Sequence, residues 1–150
     1  VWPNPPKRGP NGEAVIELKP GSEPKKIRPI HMAGERREAF MNLTKDWLVD
    51  QKIEPGTGPW SCPGFCVAKK GGKWRGVIDY RVLNEATVND SFPLPRITDI
   101  LVRQGGRHLF TVLDLKDAFH QVPMAESSRP LTGMLALLWL MQWRVLPPGC

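Results

Sequence analysis

An α+β fold is predicted for this 150-residue chain by three features of its sequence. A helical apolar spacing runs from Phe40, two β-rich runs meet at Gly71-Gly72, and a third apolar β-rich run ends in a carboxylate at Asp114. The length and a 41% hydrophobic content suit one domain, with a core but without room for two of ordinary size. Lys and Arg number 21 against 15 for Asp and Glu, giving a formal charge of +6. Such an excess is compatible with nucleic-acid binding but equally with any basic soluble domain.

Residues 1–12, with four Pro and two Gly and no periodicity, are expected to form a disordered or extended lead-in. Ala14 to Leu18 is a short strand candidate, followed by a turn-rich basic stretch. From Gly34 to Gln51, the residues Phe40, Leu43, Thr44, Trp47 and Leu48 follow the i, i+3, i+4, i+7, i+8 spacing of an amphipathic helix. The segment IEPGTGPWSCP then breaks it with Pro and Gly. Phe65 to Ile78 reads as a hairpin, because Gly71 and Gly72 supply at little cost the positive φ that a two-residue turn needs. Lys69, Lys70, Lys73 and Arg75 crowd its tip with no acidic residue before Asp79. Ala86 to Leu94 is expected as a loop, and Pro95 is placed to start a helix that Gly105-Gly106 ends. The stretch His120 to Met124 alternates, which makes His120 a polar strand residue. On its own residues, Leu131 to Leu146 is apolar enough to be a buried helix.

Thr111, Val112 and Leu113 lead directly into Asp114. An ionised carboxylate at the open end of a buried strand is costly without a metal, a cation or water beside it. Asp117, three residues on, is expected to share that site and to offer its backbone amide, with that of Ala118, to a bound anion. Sparse carboxylate ligation completed by water and phosphate oxygens is what Mg²⁺ prefers. The three cysteines, Cys62, Cys66 and Cys150, are too few for a disulfide framework and point to a reducing, intracellular setting. Cys62 and Cys66 lack a second ligand pair, so no zinc site is expected. The longest apolar run, Met134 to Met141, falls far short of the roughly 20 residues of a membrane-spanning helix.

Several ordered motifs carry a resemblance to the reverse transcriptases of retroviruses and gypsy-type LTR retrotransposons. LDLKDAFHQV resembles their first catalytic motif, and IEPGTGPWSCP resembles the "G-I-I-x-P-S-x-S-P-W-x-S-P" connection. VAKKGGKWRGVIDYRVLN is similar to "V-K-K-K-D-G-S-W-R-x-x-x-D-Y-R-x-L-N", and ATVNDSFPL to "T-x-x-D-x-F-P-L/I-P". Leu131 to Leu146 aligns with the strand pair that follows the first catalytic motif, a reading as tenable as the buried helix. Leu146-Pro-Pro-Gly149 resembles the "L/M-P-x-G" opening of a further motif, although Pro148 stands where the family has Gln or Phe.

The resemblance implies the fingers hairpin, the fingers helices and the first palm strands of a right-hand polymerase, over residues 13–150, with the palm incomplete. It implies attack of a primer 3′-hydroxyl on the α-phosphate of a deoxynucleoside triphosphate, assisted by two Mg²⁺, or Mn²⁺ in their place. Asp114 would ligate both ions. Lys69, with Lys70 as the register alternative, and Arg75 would grip the triphosphate, and the amides of Asp117 and Ala118 would meet it. Phe119 would be the steric gate against a ribose 2′-hydroxyl, unless it is a core residue. Asp79, Tyr80, Arg81 and Asn84 would help hold the template strand, although Asp79 equally suits a structural pairing with Arg81. The sequence contains neither Tyr-x-Asp-Asp nor any other Asp-Asp pair. A fragment is therefore expected, inactive alone, from a polyprotein that also supplies the remaining palm, thumb and RNase H. Its partners would be an RNA or DNA template-primer and deoxynucleoside triphosphates, with no membrane, in a cytoplasmic particle or the nucleus. Two other readings are a non-catalytic nucleic-acid-binding remnant of a degenerate element and a degenerate copy without function.

Overall fold

The computed structural model describes residues 9, 11–89 and 95–150. Most of the expected lead-in, residues 1–8 and 10, and the last part of the expected loop, residues 90–94, lie outside the described residues.

Helix α1 spans Gly34–Val49. Phe40 is fully buried and Leu43 and Trp47 pack beside it, but Leu48, expected in the same stripe, is 44% exposed and Thr44 does not join the core, so the buried stripe is narrower than the spacing suggested. The end of α1 is fixed by its backbone: Gln51 takes a φ of 56°. Its N–H donates to the Leu48 carbonyl at 3.0 Å and that of Lys52 to Trp47 at 2.8 Å, the two bonds of a Schellman cap.

Five strands form one sheet: β1 (Ile53–Pro55), β2 (Cys62–Ala68), β3 (Trp74–Ile78), β4 (Met134–Ala136) and β5 (Trp139–Trp143), in the order β1-β5-β4-β2-β3. The β2–β4 pair is parallel and the others are antiparallel. The β2–β3 hairpin is as expected, but its loop is longer than a two-residue turn. Lys69 donates its backbone N–H to the Lys73 carbonyl at 2.7 Å, and Gly71 and Gly72 take φ of 87° and 72°. Helix α1 lies across this hairpin, and Gly76 of β3 is where it comes closest. A Cβ there would run into the Trp47 ring.

Of the two readings of the C-terminal apolar stretch, the strand pair is the one observed. Ala136 and Trp139 face each other across a tight turn in which Leu137 holds a φ of 60°. A left-handed Leu is strained; it is held because β4 is paired with both β2 and β5. Helices α2 (Arg81–Ala86) and α3 (Ile97–Gln104) complete the regular elements, with 3₁₀ turns at Ala118–Gln121 and Arg129–Thr132. The core gathers Phe40, Trp60, Tyr80, Leu83, Met134 and Trp143.

Three expectations fail. Ala14 to Leu18 makes only isolated bridges, Ala14 to Met124 and Leu18 to Thr87, because its backbone partners are divided between two separate segments. Thr111 to Leu115 is not a strand: neither edge of the sheet takes it, and Val112 and Leu113 are 91% and 87% exposed. His120 lies in a 3₁₀ turn instead of a strand, its ring stacked on Trp143 at 5.4 Å between centroids. Among the described residues no helix is long and apolar enough to cross a membrane. All three cysteines are free.

Candidate nucleic-acid interface

The hairpin tip presents Lys69, Lys70 and Lys73 in the loop and Arg75 on β3, opposite Val67. All four are exposed, and among the described residues none has a hydrogen bond or ion pair of its side chain. The alternation of β3 turns Gly76 towards α1 and Arg75 the other way. Arg36 fixes the base of the hairpin from α1: its Nε donates to the Cys66 carbonyl at 2.7 Å and its guanidinium lies 5.7 Å from the centre of the Phe65 ring. Four mobile cations thus project from a braced two-stranded arm. Such an arrangement suits a polyanion, for which Arg offers bidentate donors and Lys a point charge.

Below the arm the chain turns at Asp79-Tyr80-Arg81. Arg81 donates through Nε to Asp79 Oδ1 at 2.8 Å and through Nη2 to Oδ2 at 2.6 Å. The forked bond holds the Asp79 carboxyl below its ordinary pKa, outweighing the smaller upward push of burial. Of the two readings of Asp79, the pairing with Arg81 is what the geometry displays. Tyr80, expected from the resemblance to help hold the template strand, is instead fully buried and donates its hydroxyl to the Thr132 carbonyl at 2.9 Å, so its side chain anchors the core. Thr132 in turn accepts the Trp143 N–H on its Oγ1 at 2.9 Å. Asn84, on α2, donates through Nδ2 to the Gly149 carbonyl at 2.8 Å, tying the Leu146-Pro-Pro-Gly149 segment to the Asp79 corner. Asp79, Arg81 and Asn84 therefore do belong to one locality, built by α2 and its contacts.

The carboxylate segment is arranged differently from expectation. Asp114 is exposed within an unpaired stretch. Asp117 takes a left-handed φ of 50° and caps the following 3₁₀ turn, its carbonyl accepting the His120 N–H at 2.9 Å. Its amide and that of Ala118 thus sit at the entrance of a turn of four residues, too short to act as a helix dipole. Phe119 is 53% exposed, which removes the reading as a core residue. His120 is the least exposed side chain of the segment; neither ring nitrogen has a hydrogen-bond partner among the described residues. Burial, with Lys52 adding to it, holds its pKa below the ordinary value. The oxygen donors of Asp114 and Asp117 are hard ligands of the kind Mg²⁺ or Mn²⁺ takes. No third His, Cys, Asp or Glu converges with them among the described residues.

The proteins to which this chain with its mixed helix and sheet is similar are polyproteins of retroelements and of a plant virus. The chain is 33% identical over 141 residues to the "Enzymatic polyprotein" of Cauliflower mosaic virus (strain Strasbourg), covering 91% of this chain and 21% of that protein. It is 43% identical over 92 residues to the "Retrovirus-related Pol polyprotein from transposon 412" of Drosophila melanogaster, covering 57% and 7% respectively. Against the corresponding polyprotein from transposon opus, identity is 35% over 126 residues, covering 81% and 12%. The chain spans about a fifth or less of the length of these curated relatives. Residues 67–150 match the family described as "Reverse transcriptase (RNA-dependent DNA polymerase)", and the chain belongs to that family. It is a reverse transcriptase domain fragment of retroelement polyprotein type.

Proposed function

We propose that residues 13–150 form the fingers and part of the palm of a right-hand RNA-directed DNA polymerase, and that residues 1–12 are a lead-in. The observation that carries this reading is the set of partnerless cations on the β2–β3 arm, at the positions where the family motif has its triphosphate ligands. Lys69, or Lys70 in the alternative register, and Arg75 bind the triphosphate of an incoming deoxynucleotide. Asp117 and Ala118 offer it their backbone amides, and Phe119, with its exposed ring, selects against a ribose 2′-hydroxyl. Arg81, with the donors its bond to Asp79 leaves over, and Asn84 hold the template strand of an RNA or DNA template-primer. Asp114 would hold Mg²⁺, or Mn²⁺, jointly with further carboxylates of the parent polyprotein, and such ions would supply the acidity that activates a primer 3′-hydroxyl and the charge that stabilises a leaving pyrophosphate. The parent polyprotein would supply the remaining palm, thumb and RNase H, in a cytoplasmic particle or the nucleus.

Photo-crosslinking tests the reading: a deoxynucleoside triphosphate with an azido group on its base is irradiated with the chain and a primer-template. Labelling is expected in the wild type and is expected to fall at least about tenfold in Arg75→Ala, as for loss of a charge-assisted bond of roughly 1.5–3 kcal/mol. Labelling that is unchanged by Lys69→Ala, Lys70→Ala and Arg75→Ala together would remove the triphosphate role. The unpaired state of Thr111 to Leu115 favours one second reading, a non-catalytic nucleic-acid-binding remnant. It predicts primer-template binding without any preference for a triphosphate.

A further inference from the structure

A groove of about 470 Å³ lies between α1 and the β4–β5 turn and shares no residue with the basic arm. Arg37, Met41, Lys45 and Leu48 form its helical wall. Their i, i+4, i+8, i+11 spacing puts them on a different face from Phe40, Leu43 and Trp47. The opposite wall is the turn itself. Leu138 is 89% exposed and Trp139 74% exposed, and the strained Leu137 between the paired strands fixes where they project. Pro55, Ala136 and Met141 also line the groove, and no lining residue is acidic. Arg37 and Lys45 have no ion pair among the described residues. A large apolar pair on a rigid turn, facing a second apolar wall, marks a surface made to be covered.

The charges at the rim specify what covers it. Arg37 and Lys45, without ion pairs among the described residues, stand on one wall of a groove whose remaining lining is apolar apart from Thr44. They complement an apolar stripe flanked by carboxylates and repel one flanked by Lys or Arg. A wall formed by four helical residues spanning Arg37 to Leu48 runs along about three turns of α1, which fits a helical occupant reading the groove through anchors at i, i+3 or i+4, and i+7. A second copy of this chain is a poor match. Its exposed apolar helix among the described residues, α3, has Ile97, Leu101 and Val102 open to solvent, but the single carboxylate on it, Asp99, is outnumbered by Arg96, Arg103 and Arg107 in and beside the helix. We propose that the groove seats an acidic amphipathic helix of another protein, with apolar anchors packing against Leu138 and Trp139 and carboxylates facing Arg37 and Lys45.

The test is selection from a peptide-display library of helix-length random sequences on the immobilised chain, repeated on Leu138→Glu and on an Arg37→Glu/Lys45→Glu double variant. All substituted side chains lie at the surface, and thermal unfolding checks that each variant folds. Wild type is expected to enrich peptides with apolar residues three or four apart and Asp or Glu beside them. Leu138→Glu is expected to lose them by at least about tenfold, and the double variant to enrich peptides with Lys or Arg in the acidic positions. No enrichment, a consensus without charge preference, or peptides retained on Leu138→Glu would overturn the proposal. So would sedimentation showing a dimer that Leu138→Glu dissolves, because a second copy would then own the groove.

Discussion

Asp79 and Arg81 are bonded through two parallel hydrogen bonds at 2.8 and 2.6 Å, yet the Arg81 side chain is 85% exposed. Solvent screening keeps such a pair weak. Because the folded Asp79 pKa lies below the ordinary 3.8, this stabilisation is present above that value and is lost as pH falls through the folded pKa. Asp79→Asn should therefore lower stability only slightly at neutral pH, and denaturant unfolding below the folded pKa should no longer separate it from wild type. A difference that persists undiminished in acid would assign the loss to packing. His120 has the same sign: its folded pKa is held below the ordinary 6.5 by burial, so the fold loses stability as pH drops below that value and the ring must charge. His120→Phe, which keeps the stack on Trp143, should flatten the stability profile in the weakly acid range, measured by thermal unfolding across pH. The Asp79–Arg81 pair is readable from adjacent sequence, whereas the stack of His120 is not, because Trp143 reaches it only through the β5 register.

At the level of elements, α1 shows what local pattern conveys. Phe40, Leu43 and Trp47 recur at the helical period, and the helix forms where they fall. The hairpin is equally local, since Gly71 and Gly72 announce the turn. What the spacing cannot convey is the approach of α1 to β3, which depends on Gly76 lying under Trp47. Gly76→Ala should destabilise the fold by about 1–3 kcal/mol through overpacking, read as a shift in the denaturation midpoint without a change in slope. A neutral result would show that the Trp47 ring yields freely. The segment Thr111 to Leu115 has the composition of a strand, but strand formation needs a second strand to accept its N–H and C=O groups, and sequence alone does not say which one. The β4–β5 turn was obscured for a different reason: Leu137 occupies a left-handed position that usually signals itself with Gly or Asn.

For the whole molecule, the +6 charge is less informative than its distribution. Cations without partners gather on the β2–β3 arm, while Arg129 and Arg144 share Glu54 near β1. The family motifs were legible because each is a short run whose order is preserved from Pro55 to Gly149. Of the proposed metal site only Asp114 was legible, since the sequence holds no Asp-Asp pair to join it. Template-directed primer extension by residues 1–150 alone should accordingly be undetectable with either Mg²⁺ or Mn²⁺; extension above background would show that Asp114 and Asp117 suffice. The central claim, that the arm is a polyanion-gripping surface of a polymerase, is tested most directly by fluorescence anisotropy of a labelled primer-template across a salt series. Wild type should bind with a steep salt dependence. Replacing Lys69, Lys70, Lys73 and Arg75 by Ala should weaken binding and reduce the slope of log K against log salt by up to about 3 to 4, at roughly 0.9 for each phosphate that is no longer neutralised. An affinity and slope unchanged in that folded variant would contradict a polyanion-gripping role for the arm.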